Sequence, residues 1–149
     1  MTLYEQVNSD MIGYMKNKDK DSLSTIRLLK SAIDLARINN KLEEITDELV
    51  IEVVSKQIKT HKESIIEFKN AGREDLSSKL EKEIELLSKF LPEQLTNEEI
   101  ENEINKIFDE IKPNGKSDMG KIMKEANIRL KGKADFKLVS EIVQNKLNS

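Results

Sequence analysis

Apolar residues recur three and four positions apart along most of this chain, the spacing that places side chains on one face of an α-helix. Leu3, Val7, Met11 and Met15 form the first such stripe and predict a helix over about Leu3 to Lys16, ended by the charged run Lys18 to Asp21. Ser22 to Asn39 carries Ile26, Leu29, Ile33 and Ala36 on one stripe and Leu28, Ala32 and Leu35 on a second. An apolar arc that wide predicts a mostly buried helix. Thr46 is placed to cap a long helix with the stripe Val50, Val54, Ile58, His61, Ile65 and Phe68, and Gly72 is placed to end it. A fourth helix follows through Leu76, Leu80, Ile84, Leu87 and Leu91 until Pro92 stops it.

Beyond Pro92 the pattern resumes in shorter pieces. Thr96-Asn-Glu-Glu99 has the form of a capping box and opens a fifth helix with Ile100, Ile104, Ile107 and Ile111 inward, closed at Pro113-Asn-Gly115. Ser117 or Asp118 then caps a sixth, with Met119, Ile122, Met123, Ala126 and Leu130 inward and Gly132 at its end. Asp135 caps a seventh, with Phe136, Val139, Val143 and Leu147 inward. The expected fold is all-α and multihelical, in two lobes: an N-terminal helical domain of about four helices (residues 1–93) and a small three-helix C-terminal domain (residues 94–149).

Composition supports that reading and removes several chemistries. With 37% hydrophobic and 36% charged residues, five glycines and two prolines, the 149 residues favour helix and suffice for a real core. No apolar run approaches the roughly 20 residues that span a bilayer, and residues 1–16 are amphipathic, so the cytoplasm is the expected compartment. There is no cysteine, and His61 is the single histidine. Disulfides, thiolate nucleophiles and zinc sites of the usual ligand sets are thereby removed, and neither a metal nor a cofactor is expected.

The net charge of −3 hides a division. Residues 94–111 hold one lysine and six acids, whereas residues 112–149 hold nine lysines and arginines and four acids. A split like this marks either an anion-binding tail or two helix faces that attract each other within one small domain.

The candidate chemistry is thin elsewhere. Gly115-Lys116-Ser117 resembles the end of a phosphate-binding loop, but position 110 is Glu110 where that loop requires glycine, and no strand precedes it. His61 lies on an apolar stripe and reads as a histidine at the edge of a core, hydrogen bonded to a neighbour. Ser77-Ser78 reads as a solvated helix face. Arg27, Lys30, Arg37 and Lys41 share a stripe on the second helix, interrupted by Asp34 and read as a solvated edge beside the core. No catalytic residue is expected.

The run Leu130 to Val139, LKGKADFKLV, has two readings. Gly132 ends one helix, with Lys131 and Lys133 beside its negative dipole end, which makes the run a connector. Lys137 sits in the first turn of the next helix, where the dipole disfavours a cation; a phosphate held there by Lys133, Lys137 and free backbone NH groups would reverse that, although Asp135 competes for the same donors.

Several stretches together resemble one family. RLLKSAI at Arg27 to Ile33, KESIIEFKNAGREDL at Lys62 to Leu76, FLPEQL at Phe90 to Leu95, then DMGKIMK, LKGKAD and KLV are similar, in order, to the YqeY family. The C-terminal part also resembles the tail of GatB, a subunit of the glutamine-dependent tRNA amidotransferase, a carbon–nitrogen ligase with glutamine as amido donor. The resemblance implies two helical lobes and a tail that helps hold tRNA, with the ligase chemistry residing in parts absent here. The RNA- or phosphate-binding candidates it implies are Lys121, Lys124, Lys131, Lys133 and Lys137. Phe136 stands where many members carry a small residue, and its ring either fills the core or obstructs close backbone approach; at His61, relatives often carry arginine.

The expected function is a tRNA-binding or amidotransferase-associated accessory protein, with a translation-associated protein as a further partner class. The alternative is a helical protein–protein interaction module with no RNA contact. A contiguous exposed apolar patch would mark the alternative.

Overall fold

A computed structural model describes residues 1–148. Among these residues the chain is all-α, with seven α-helices, one 3-10 turn and no strand. It divides into two compact units, the first ending at Leu91 and the second beginning at Pro92.

The first unit contains α1 (Leu3–Lys16), α2 (Lys20–Asn39), α3 (Asp47–Asn70) and α4 (Glu74–Ser88). Its helix ends follow local rules. The hydroxyl of Thr2 accepts from the Glu5 amide, the carboxylate of Asp19 from Ser22, and the hydroxyl of Thr46 from Leu49, so three of the four N-termini carry a side-chain cap. Past α3, Gly72 adopts φ +74° while its amide donates to Lys69 and the Arg73 amide to Phe68, the paired bonds by which a left-handed residue closes a helix. Lys18 and Lys41 hold the same left-handed position after α1 and α2, each at φ 55°.

Helix α2 packs against α1, α3 and α4, and α3 packs against α1 and α4 as well. Val7, Ile26, Leu29, Ile33, Val50, Val54 and Leu87 form a core from which solvent is excluded. Each contributes on the order of 1.5–3 kcal/mol by leaving water. The phenol of Tyr4 donates to Asp34 across α1 and α2 at 2.7 Å. Burial, then that hydrogen bond and the carboxylate charge, push its pKa up to about 12.

Three expectations fail in this unit. The wide apolar arc of α2 is buried only on its Ile26, Leu29 and Ile33 side; Leu28 is 64% exposed and Leu35 58%. Neighbouring helices cover one half of the arc and leave the other in water. Helix α4 ends at Ser88, short of Leu91, because the amides of Lys89, Phe90 and Leu91 tighten into three-residue turns that carry Phe90 into the core. Ser77 is buried with its hydroxyl donating to the Glu74 carbonyl, and only Ser78 of that pair is solvated.

The second unit contains α5 (Asn97–Ile111), a 3-10 turn (Lys116–Asp118), α6 (Met119–Leu130) and α7 (Phe136–Asn148), the three helices packing on one another. Ile100, Ile104, Ile107, Ile122, Ala126, Leu130, Val139 and Val143 fill its centre. The capping box of α5 is complete: Thr96 accepts from the Glu99 amide and Glu99 from the Thr96 amide, each at 3.1 Å. Asp118 departs from expectation and does not cap α6. Its carboxylate accepts instead from the Asn114 amide at 2.8 Å, fastening the loop that leaves α5.

Candidate functional site

The lysines that the sequence singles out lie in the small unit, on and after α6. This helix buries Ile122, Ala126 and Leu130, which stand four residues apart. At about 100° per residue the opposite sector holds Gly120, Lys121, Lys124, Asn127 and Ile128, with Lys131 continuing it at the helix end. All six are exposed, and none of them is acidic. Lys121, Lys124 and Lys131 are therefore brought to one side of one helix, with Ile128 set among them.

The acid on α6 is kept off that sector. Glu125 accepts from Arg129 at 2.9 Å, and Arg129 also pairs with Glu110 of α5. The hydrogen bonds that the guanidinium donates to Glu110 and then to Glu125 raise the pKa of Arg129. Arg129 thereby binds α6 to α5 and joins the acidic stretch to the basic one. The six residues of the exposed sector face solvent beside it. Lys121 has an acidic neighbour of its own, Asp118 at 3.8 Å, in a pair open to water and worth little.

Lys133 and Lys137 are placed differently. The Lys133 carbonyl accepts from the Leu95 amide at 2.9 Å, and the Gly132 carbonyl from the Gln94 side chain at 2.6 Å. Gly132 itself is left-handed, at φ +77°. The run from Leu130 to Asp135 therefore acts as a connector that also clamps the segment leading into α5. At the start of α7, Asp135 accepts from the Lys137 amide at 3.0 Å, so a carboxylate already occupies the donor that a phosphate would use there. Lys133 and Lys137 remain exposed as side chains, and Lys137 shares its outward side with Glu141. The Phe136 ring packs against the core, and the ammonium of Lys146 lies 5.2 Å from the centre of the Phe108 ring, joining α7 to α5.

In the first unit His61 is half-buried with Nε2 at 3.3 Å from the Glu83 carboxylate, whose other oxygen accepts from the Thr25 hydroxyl at 3.2 Å. The imidazole sits at the edge of the core, as its stripe implies, with a carboxylate as its polar neighbour. Glu83 and Thr25 were not foreseen as its partners, although Glu83, three residues after Leu80 and beside Ile84, is an acid inside an apolar stripe. The three side chains line an open depression of about 320 Å³ with Leu28 and Lys56. No nucleophile is bonded to the imidazole. Among the described residues no group of three or more histidine, aspartate or glutamate side chains is arranged to hold a metal ion, and no helix is long and apolar enough to cross a membrane.

Residues 4–147, nearly the whole chain, match the family described as Yqey-like protein. The chain belongs to the YqeY-like family. Among relatives of this YqeY-like chain, an uncharacterized protein of Schizosaccharomyces pombe is 36% identical over 92 residues, 61% of this chain and 73% of that protein. A Pyrenophora tritici-repentis protein named Altered inheritance of mitochondria protein 41, mitochondrial, is 33% identical over 141 residues, 93% of this chain and 77% of that protein.

Proposed function

We propose that this protein is a cytoplasmic tRNA-binding accessory protein that works alongside a glutamine-dependent tRNA amidotransferase and has no catalytic centre of its own. The observation that carries this reading is the outer sector of α6, where Lys121, Lys124 and Lys131 stand on one exposed side of the helix. Lysines at that spacing suit the phosphates of a folded RNA backbone, which are recognised by charge without reading bases. Lys133 and Lys137 flank the sector in sequence and supplement it. The similarity of the C-terminal part to the GatB tail supports the choice of tRNA and of the amidotransferase as partner. Ligase chemistry belongs to that partner: among the described residues no hydroxyl is hydrogen bonded to the one imidazole, and the Thr25 hydroxyl that meets Glu83 is buried.

The test is binding of the full chain to a tRNA transcript over a range of salt. Logarithmic affinity should fall linearly with logarithmic salt, and Lys121→Ala with Lys124→Ala should reduce the slope by about 2. Absence of binding at low salt, or an unaltered slope in the double variant, would overturn the proposal. Turnover of glutamine or misacylated tRNA by the purified chain alone would overturn the part that denies it a catalytic centre.

A further inference from the structure

We propose that Asn114-Gly115, in the loop that leaves α5, is a self-modification site at which the chain converts its own asparagine to aspartate and isoaspartate. The proposal concerns the covalent chemistry of this loop and stands or falls independently of the RNA reading. Such a conversion needs a backbone nitrogen free to attack, a mobile side-chain amide beside it and room for the five-membered ring that forms between them. Asn114 is exposed, lies outside the helices and is the one asparagine of the chain that glycine follows. Among the described residues neither its side chain nor the Gly115 amide is engaged in a hydrogen bond. At Gly115 the backbone stands at φ +134° and ψ −163°, a region open to glycine and strained for other residues, and no atom lies within 4 Å of where a β-carbon would be. The other asparagines lack these conditions. Asn17 and Asn40 end helices, and the amides that follow them, on Lys18 and Lys41, already donate to the carbonyls of Met15 and Ile38. Asn97 is as open to water as Asn114, but it precedes Glu98, whose side chain crowds the ring.

In the first step the Gly115 nitrogen attacks the side-chain carbonyl carbon of Asn114. Water takes the proton from that nitrogen and returns it to the side-chain amide nitrogen, whose bond to carbon breaks as it leaves as ammonia. Water then opens the cyclic imide at either carbonyl. Opening at the side-chain carbonyl gives aspartate, and opening at the backbone carbonyl gives isoaspartate, in which the chain runs through the β-carbon of residue 114. Water is the one reactant consumed. Either product sets a carboxylate close to Asp118, whose own carboxylate accepts from the Asn114 amide at 2.8 Å. In isoaspartate the new charge is attached to the carbon that bears that amide nitrogen, so like charges crowd one donor and the clasp on the loop opens. A negative charge is added at the same time to the basic stretch 112–149.

The experiment incubates the full folded chain in mildly alkaline buffer and follows it by peptide mass mapping. The mass change of an amide replaced by an acid should accumulate at Asn114 about tenfold faster than at Asn97, since glycine leaves the attacking nitrogen unshielded. Transfer of labelled methyl groups from S-adenosylmethionine by an isoaspartyl methyltransferase should mark the same peptide. Conversion should quicken as pH rises, because the attacking nitrogen must shed its proton. It should vanish in Asn114→Gln, whose longer side chain would have to close a six-membered ring; that variant keeps the backbone donor to Asp118, so its urea midpoint should match the unmodified chain. In the acidic form separated by anion exchange, the residue 114 amide should exchange its hydrogen faster than before. Equal conversion at Asn114 and Asn97, or methyl labelling that persists in Asn114→Gln, overturns the proposal. So does conversion confined to chain unfolded in urea, since the folded loop then shields the site. An acidic form whose residue 114 amide stays protected overturns the opening of the clasp.

Discussion

Helices α2 and α6 each pack against every other helix of their own unit, and each turns a lysine-bearing side to solvent. Helix α2 sets Leu28, Leu35 and Ile38 among its cations, whereas α6 sets only Ile128 among Lys121, Lys124 and Lys131. The difference separates two kinds of surface that net charge alone would merge. Cations around one aliphatic group stay hydrated and suit a hydrated polyanion. Exposed aliphatic groups beside charges of both signs offer such a polyanion nothing, and leave apolar area in water.

The strongest challenge to this contrast is a pair of alanine substitutions. Ile104→Ala empties a site with no exposure in the small unit and should cost about 2–5 kcal/mol, whereas Leu35→Ala should stay within about 0.5 kcal/mol. Urea unfolding measures both; equal losses would mean that the α2 row is covered. A smaller effect should follow from Thr96→Ala, which removes the reciprocal cap of α5 at a cost of about 1 kcal/mol. An unaltered urea midpoint in Thr96→Ala would show that the box adds nothing to the small unit.

The smallest effect separates the units by pH. The chain has two tyrosines, Tyr4 and Tyr14, both before Pro92. The pKa of Tyr4 is raised from 10.0 to about 12, so above pH 10 the unfolded chain releases its proton before the folded one. The stabilising contribution is therefore complete below pH 10 and lost as pH rises to about 12. Tyr4→Phe should cost up to ~1 kcal/mol below pH 10, and its deficit in thermal unfolding should shrink across that window. A deficit independent of pH would show that the phenol is not held neutral by burial and Asp34.

Much of the fold was legible because its determinants are local. Thr46, Thr96 and Gly72 announce helix ends through one hydrogen bond or one backbone angle, and neighbours within four residues complete each motif. The errors lie where the answer depends on another helix. The arc of α2 is apolar on both the Leu29 side and the Leu35 side, and only the placement of α1, α3 and α4 decides which half is covered. One error is local instead: Asp118 has the right position for a cap, but the Asn114 amide four residues earlier takes its carboxylate. Of the candidate site, the common side of Lys121, Lys124 and Lys131 follows from helical spacing alone. The role of Arg129 depended on Glu110, which lies nineteen residues earlier in the chain; the charge split between the two stretches allows such an attraction without singling out the pair.

The bonds from Gln94 and Leu95 to the carbonyls of Gly132 and Lys133 bear on how the small unit can be moved between proteins. A fragment cut at Thr96 would keep all three helices yet strand those two acceptors. The transferable module therefore starts upstream of its first helix, and a fusion that carries it onto another chain should place its seam before Pro92.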